Sequence, residues 1–117
     1  MEYKFRGFDI VGHKWVFGDL VRNQKVTRTG LEPRVMVGGY EVDPKSVGMF
    51  TGKKDIFGEE VYEKDIVRTT IKGDVSVDAV VVYNTDMCAF LLRCGYGDYC
   101  MYGECEKIGI DYEENKQ

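Results

Sequence analysis

Four carboxylates, Glu59, Glu60, Glu63 and Asp65, fall within seven residues of one another. Carboxylates that close can divide acid and base roles or share a hard cation such as magnesium. Lys53, Lys54 and Lys64 lie among them and offset their charge, so the group reads as a solvated rim and not as a site. His13 is the sole histidine, so any Ser-His-Asp or Cys-His arrangement would have to use it. It follows Gly12 in what reads as a turn, and a metal site with two histidines is excluded. Gly95-x-Gly97 is too short for a dinucleotide fingerprint and has no helix after it to meet a phosphate. The thiols Cys88, Cys94, Cys100 and Cys105 lack the paired close spacings of a structural zinc site and read as unpaired, small apolar groups in strands. No metal, cofactor or catalytic residue is therefore expected, and the chain reads as a non-enzyme.

Two sets of residues could bind. Tyr96, Tyr99 and Tyr102 surround a glycine-rich segment next to Phe90, and exposed aromatics stack on unpaired bases or anchor peptides. Core filling is the competing use of each ring. Lys4, Arg6, Lys14, Arg22, Lys25, Arg28 and Arg34 concentrate basic charge in the first third, although the whole chain carries −4. Arg22, Lys25 and Arg28 are the binding candidates among them. A net acidic chain argues against tight, indiscriminate binding to a phosphate backbone but permits a local basic face.

The elements that must position these residues are strands. The chain has 8 Tyr, 6 Phe and many Val, and no sustained 3.6-residue period. Residues 3–8 and 15–21 form a hairpin about Gly12-His13-Lys14. Residues 22–33 read as a loop, and Val35-Met36-Val37 as a short strand. Asp43-Pro44 opens a turn, with at most one helical turn at Ser46. Asp55-Ile56-Phe57-Gly58 is a turn in which the Asp side chain bonds backbone two residues on and Gly58 takes positive φ. Strand residues follow at 61–62 and, after a polar bend at Glu63-Lys64-Asp65, over 66–71, then over 75–83, 89–94 and 108–112. Phe5, Trp15, Phe17, Phe50, Val61, Ile66, Val81, Phe90, Leu92 and Ile108 are the expected core.

The acidic bend entering Asp65-Ile66-Val67-Arg68 resembles that of small SH3-like β-barrels. More specifically, the chain resembles the YopX family of phage- and mobile-element-encoded proteins. The matching pieces are Tyr3-Lys4-Phe5-Arg6, Val42-Asp43-Pro44, Val47-Gly48, Phe50-Thr51-Gly52, Lys54-Asp55, Gly58, Val61-Tyr62-Glu63, Asp65-Ile66-Val67, Ile108-Gly109 and Tyr112-Glu113. The resemblance departs at Lys64, where the family pattern has Gly. A positive φ there would strain Lys64.

The resulting expectation is one domain over 1–117: a hairpin and loop over 1–39, an SH3-like open or pseudo β-barrel over 40–112, and a polar tail over 113–117. Residues 1–12 lack the apolar core of a secretory signal, and no apolar run nears the ~20 residues of a membrane helix, so a cytoplasmic protein is expected. The function expected is interaction with a protein partner or with further copies of itself. Nucleic-acid binding through the basic residues and tyrosines is the alternative.

Overall fold

A computed structural model describes residues 4–71, 75–101 and 103–113. They are mainly β, with a curled, half-barrel sheet and no α-helix among the described residues. Two compact units divide them, one running up to Met49 and the other from Phe50 to Glu113.

In the first unit, β1 (Phe5–Asp9) pairs antiparallel with β2 (Lys14–Gly18), Gly7 facing Val16. Asp9 holds the turn between them by accepting hydrogen bonds from the backbone N–H of Val11 and Gly12, both at 3.1 Å. Alternation along a strand sends neighbours to opposite faces. Val16 takes the face packed with Val35, Val37 and Val42, so Trp15 and Phe17 turn the other way. There Trp15 meets the Phe8 ring and lies under the Arg6 guanidinium, 4.8 Å from its centroid. Phe17, expected in the core, is exposed for this reason.

The segment 22–33, read from sequence as a loop, is instead most of a long hairpin. β3 (Leu20–Thr27) and β4 (Gly30–Val37) pair antiparallel along their full lengths about Arg28-Thr29, with Gly30 at φ 129°. Pro33 and the scarcity of large apolar residues disguise it. Proline is tolerated because the far side of β4 is bordered only by the two-residue strand β5 (Tyr40–Glu41), which pairs with Met36 and Val37 and stops short of Pro33. Leu20 and Val21 accordingly belong to β3 and not to the return strand of the first hairpin. A single 3-10 turn, Pro44–Ser46, follows. Asp43 caps it through Lys45 N–H at 3.1 Å, and the buried Ser46 hydroxyl accepts from Phe8 N–H at 2.7 Å.

β6 (Gly48–Lys54) begins beside β1, with Met49 opposite Phe5. In the second unit, its remainder pairs with β7 (Glu60–Tyr62), and Phe50 stacks at a tilt on Tyr62. β8 (Asp65–Ile71), β9 (Val75–Asn84), β10 (Ala89–Cys94), β11 (Gly97–Cys100) and β12 (Cys105–Ile110) make one antiparallel sheet in the order β11-β10-β9-β8-β12. Its core is Val61, Val67, Ala79, Val81, Leu92 and Cys105, with Phe90, Cys94 and Met101 against it. Along β8 the inward positions are Asp65, Val67, Thr69 and Ile71. Two of these are polar, which is why the apolar alternation of this strand is broken in the sequence. Thr69 settles inward by donating its hydroxyl to the Glu104 carbonyl at 2.9 Å. Ile108, expected in the core, is exposed because the β12–β8 register shifts between Lys107 and Gly109.

Candidate functional site

The acidic group does not survive as a cluster of like carboxylates. Asp65 was expected on a solvated rim; it is fully buried. Its carboxylate accepts from Tyr62 N–H at 2.7 Å and lies 3.6 Å from Lys107 Nζ, a cation 42 positions away in sequence. Glu60 accepts from the Tyr62 hydroxyl at 3.1 Å. Glu59 is exposed. No three metal-ligating side chains converge among the described residues. His13 lies in the β1–β2 turn with φ 52°.

Asp55 organises the turn before β7. One carboxylate oxygen accepts from Phe57 N–H and Glu59 N–H, both at 2.9 Å, and the other from Lys107 N–H at 3.1 Å. The backbone adds Asp55 N–H to Glu59 O, Gly58 N–H to Asp55 O and Ile56 N–H to Cys105 O. Burial pushes the Asp55 carboxyl up, but the three backbone donors and the Lys107 charge outweigh it, so its pKa lies below the usual value. The bond to Phe57 and the positive φ of Gly58, 82°, are the features expected from the sequence. The bond to Lys107, 52 positions away, had no local signal. What the turn holds up is apolar: Ile56 is 52% and Phe57 71% exposed.

Arg22 and Lys25 lie on β3 and Arg28 in the β3–β4 turn. Residues opposite one another in the register share a face. One face of the hairpin carries Arg22 with Val35, Gln24 with Pro33, and Val26 with Leu31. The other carries Asn23 with Arg34 and Lys25 with Glu32. On that second face Arg34 donates to Asn23 Oδ1 at 2.8 Å and Lys25 pairs with Glu41 at 2.8 Å. The structure thus separates the three basic candidates. Lys25 is neutralised, whereas Arg22 and Arg28 are exposed and make no ion pair among the described residues. Toward the tip of this two-stranded arm, Gln24 with Pro33 and Val26 with Leu31 are exposed on one face, Glu32 is exposed and Lys25 half-buried on the other, whereas nearer the base Arg22 lies opposite the buried Val35. Near its tip Val26 is 84% and Leu31 63% exposed. Sequence reasoning missed this pair, although an apolar residue on each side of a Thr-x-x-Gly turn is a legible hairpin signal.

Tyr96 and Tyr99 are brought together, the Tyr99 hydroxyl donating to the Tyr96 carbonyl at 3.3 Å. Tyr96 is exposed in the β10–β11 turn; Tyr99 is half-buried opposite the core residue Leu92. Tyr102 lies outside the described residues. Phe90 does not join the tyrosines; it packs on the core and edge-on to Tyr83 at 5.1 Å. Cys88 and Cys100 are exposed, Cys94 half-buried and Cys105 buried, all as free thiols.

A family model described as YopX protein matches residues 4–115 of the chain. A search of the curated proteins finds no match.

Proposed function

The chain belongs to the YopX family, and from that premise we propose that it is a non-catalytic protein-interaction or self-assembly module of a phage or mobile element, working in the cytoplasm. The observation that carries this reading is the outer end of the β3–β4 arm, where Val26 and Leu31 face each other across the register and are both exposed. A folded chain loses by exposing two large apolar side chains on an extended ribbon, unless a partner covers them. The non-catalytic part is supported by where two of the carboxylates are used: Asp55 accepts three backbone N–H groups, and buried Asp65 accepts Tyr62 N–H beside the Lys107 ammonium. The curled sheet supports reading the strands of the second unit as an SH3-like open barrel. Proteins recovered with the tagged full chain from cells carrying the element test the proposal. Recovery should be lost in Val26→Asp/Leu31→Asp. Equal recovery by that variant would refute the arm as the binding element.

A second reading, an accessory nucleic-acid-binding protein, is favoured by one observation. Residues 20–37 hold Arg22, Lys25, Arg28 and Arg34 against Glu32 alone, a basic ribbon in an acidic chain. A two-stranded ribbon fits a duplex major groove. Binding of this kind must fall steeply with salt and vanish in Arg22→Glu/Arg28→Glu. Lys25 is left unchanged in that variant because reversing it would oppose a carboxylate to Glu41. A salt-sensitive shift of a short duplex or single strand, lost in the double variant, would replace the first reading with this one.

A further inference from the structure

The arm's partner can be deduced from charge and exposure. Up to Met49 the chain has eight Lys and Arg against six Asp and Glu; from Phe50 to Glu113 it has seven against thirteen. The two units thus differ in sign. The arm presents Val26 and Leu31 on one face, with Arg22 on that same face and Arg28 at the tip, and neither arginine is in an ion pair among the described residues. A ligand for this face needs an exposed apolar projection with an unpaired carboxylate beside it.

The second unit carries such a projection. Phe57 and Ile56 stand out from the turn that Asp55 fixes, and Glu59, exposed and in no ion pair among the described residues, comes one residue further on, after Gly58. Six hydrogen bonds hold this turn, three through the Asp55 carboxylate and three through backbone alone. An apolar anchor fixed before binding loses little conformational entropy when it docks. Another exposed apolar turn pair, Ile10 and Val11, offers no exposed carboxylate to the arm's arginines: Asp9 is buried and already accepts from Val11 N–H and Gly12 N–H, and Lys14 stands beside it. Pairing two arms edge to edge would bring Arg22 and Arg28 of each copy toward those of the other.

We infer that the chain self-associates head to tail: the arm face of one copy, Val26 and Leu31 flanked by Arg22 and Arg28, seats on the Ile56-Phe57 turn and Glu59 of the next. This rests on the interaction reading above and names the partner as a second copy. Such an interface uses two different surfaces, so each copy keeps one of each free and growth continues into a ring or a filament.

Complementation between two surface variants tests it. Leu31→Asp spoils the arm and leaves the turn; Phe57→Lys spoils the turn and leaves the arm. Both residues are exposed, so circular dichroism and thermal melts of the variants should match the parent chain. In sedimentation velocity, the average mass of the parent should rise with concentration and fall with added salt. Each variant alone should remain a monomer, and an equimolar mixture should form a dimer and stop there, because only one live arm meets one live turn. A parent chain that is monomeric at every concentration overturns the inference, and if it still recovers a partner from cells the broader interaction reading stands. Association that survives in both variants also overturns it while leaving self-assembly by another surface. A mixture that stays monomeric overturns the pairing of these two surfaces.

Discussion

Lys64 offers a direct measurement of backbone strain. It occupies the second corner of the two-residue turn between β7 and β8 with φ 79°, where a type II turn needs about +80° and favours Gly. Its backbone cannot relax away: Lys64 N–H donates to Val81 O at 2.8 Å and Lys64 O accepts from Asp111 N–H at 2.7 Å. A left-handed conformation costs a residue with Cβ about 1–2 kcal/mol. Glycine is free of that cost but loses roughly 0.5–1 kcal/mol more than Ala in chain entropy on folding. The difference leaves Lys64→Gly about 0.5–1 kcal/mol more stable than Lys64→Ala, or a few degrees in melting midpoint. Both replacements delete the same Lys side chain, so comparing them removes any contribution from its charge and contacts. Urea unfolding of the full chain at equal m gives the number. A Gly variant no more stable than the Ala variant would show that the turn adapts to Cβ and that the strain argument is wrong.

Asp55→Ala should cost roughly 2–4 kcal/mol in denaturant unfolding, because it orphans three backbone donors around a buried position. The depressed pKa of Asp55 means its contribution is fully present above the unfolded carboxyl value and is lost as pH falls through the folded one; Asp55→Asn should flatten the acid limb of the stability–pH curve. Val81→Ala, at a position of zero exposure in the second core, should cost about 2 kcal/mol, and an unchanged melting midpoint would contradict the packing. Under native conditions Cys88 and Cys100 should react readily with a thiol reagent, whereas Cys105, buried and with its thiol pushed up chiefly by that burial, should react only on unfolding, as mass spectrometry of the labelled peptides would show.

The strand content was legible because aromatic and β-branched residues cluster between Gly, Asn and Asp turns. The Asp55 turn and the positive φ of Gly58 were legible because both depend on bonds two or three residues apart. Errors arose where a longer-range arrangement decided. Pro33 concealed the β3–β4 arm, since the sequence does not show that β5 ends before reaching it. Phe17 and Ile108 were misassigned because inward or outward is set by the register, which Val16 fixes in β2 and a bulge interrupts in β12. The acidic stretch could be read as a rim because nothing local distinguishes Asp65, completely buried, from Glu59, exposed.

That distinction comes from one distant residue. Lys107 donates its backbone N–H to Asp55 at 3.1 Å, and its ammonium lies 3.6 Å from Asp65 and 3.4 Å from the Glu60 carbonyl. The two buried carboxylates flank β7 in sequence, one before it and one at the start of β8, and β12 joins both through this single side chain and amide. A carboxylate buried at zero exposure is tolerable only with donors and a cation at hand. Lys107 supplies the cation for Asp65 and a donor for Asp55, so the turn presenting Phe57 and the turn carrying Lys64 are tied to the same strand. Loosening β12 should therefore loosen both turns together, and a surface that must present Phe57 in a fixed position is held from the far end of the sequence.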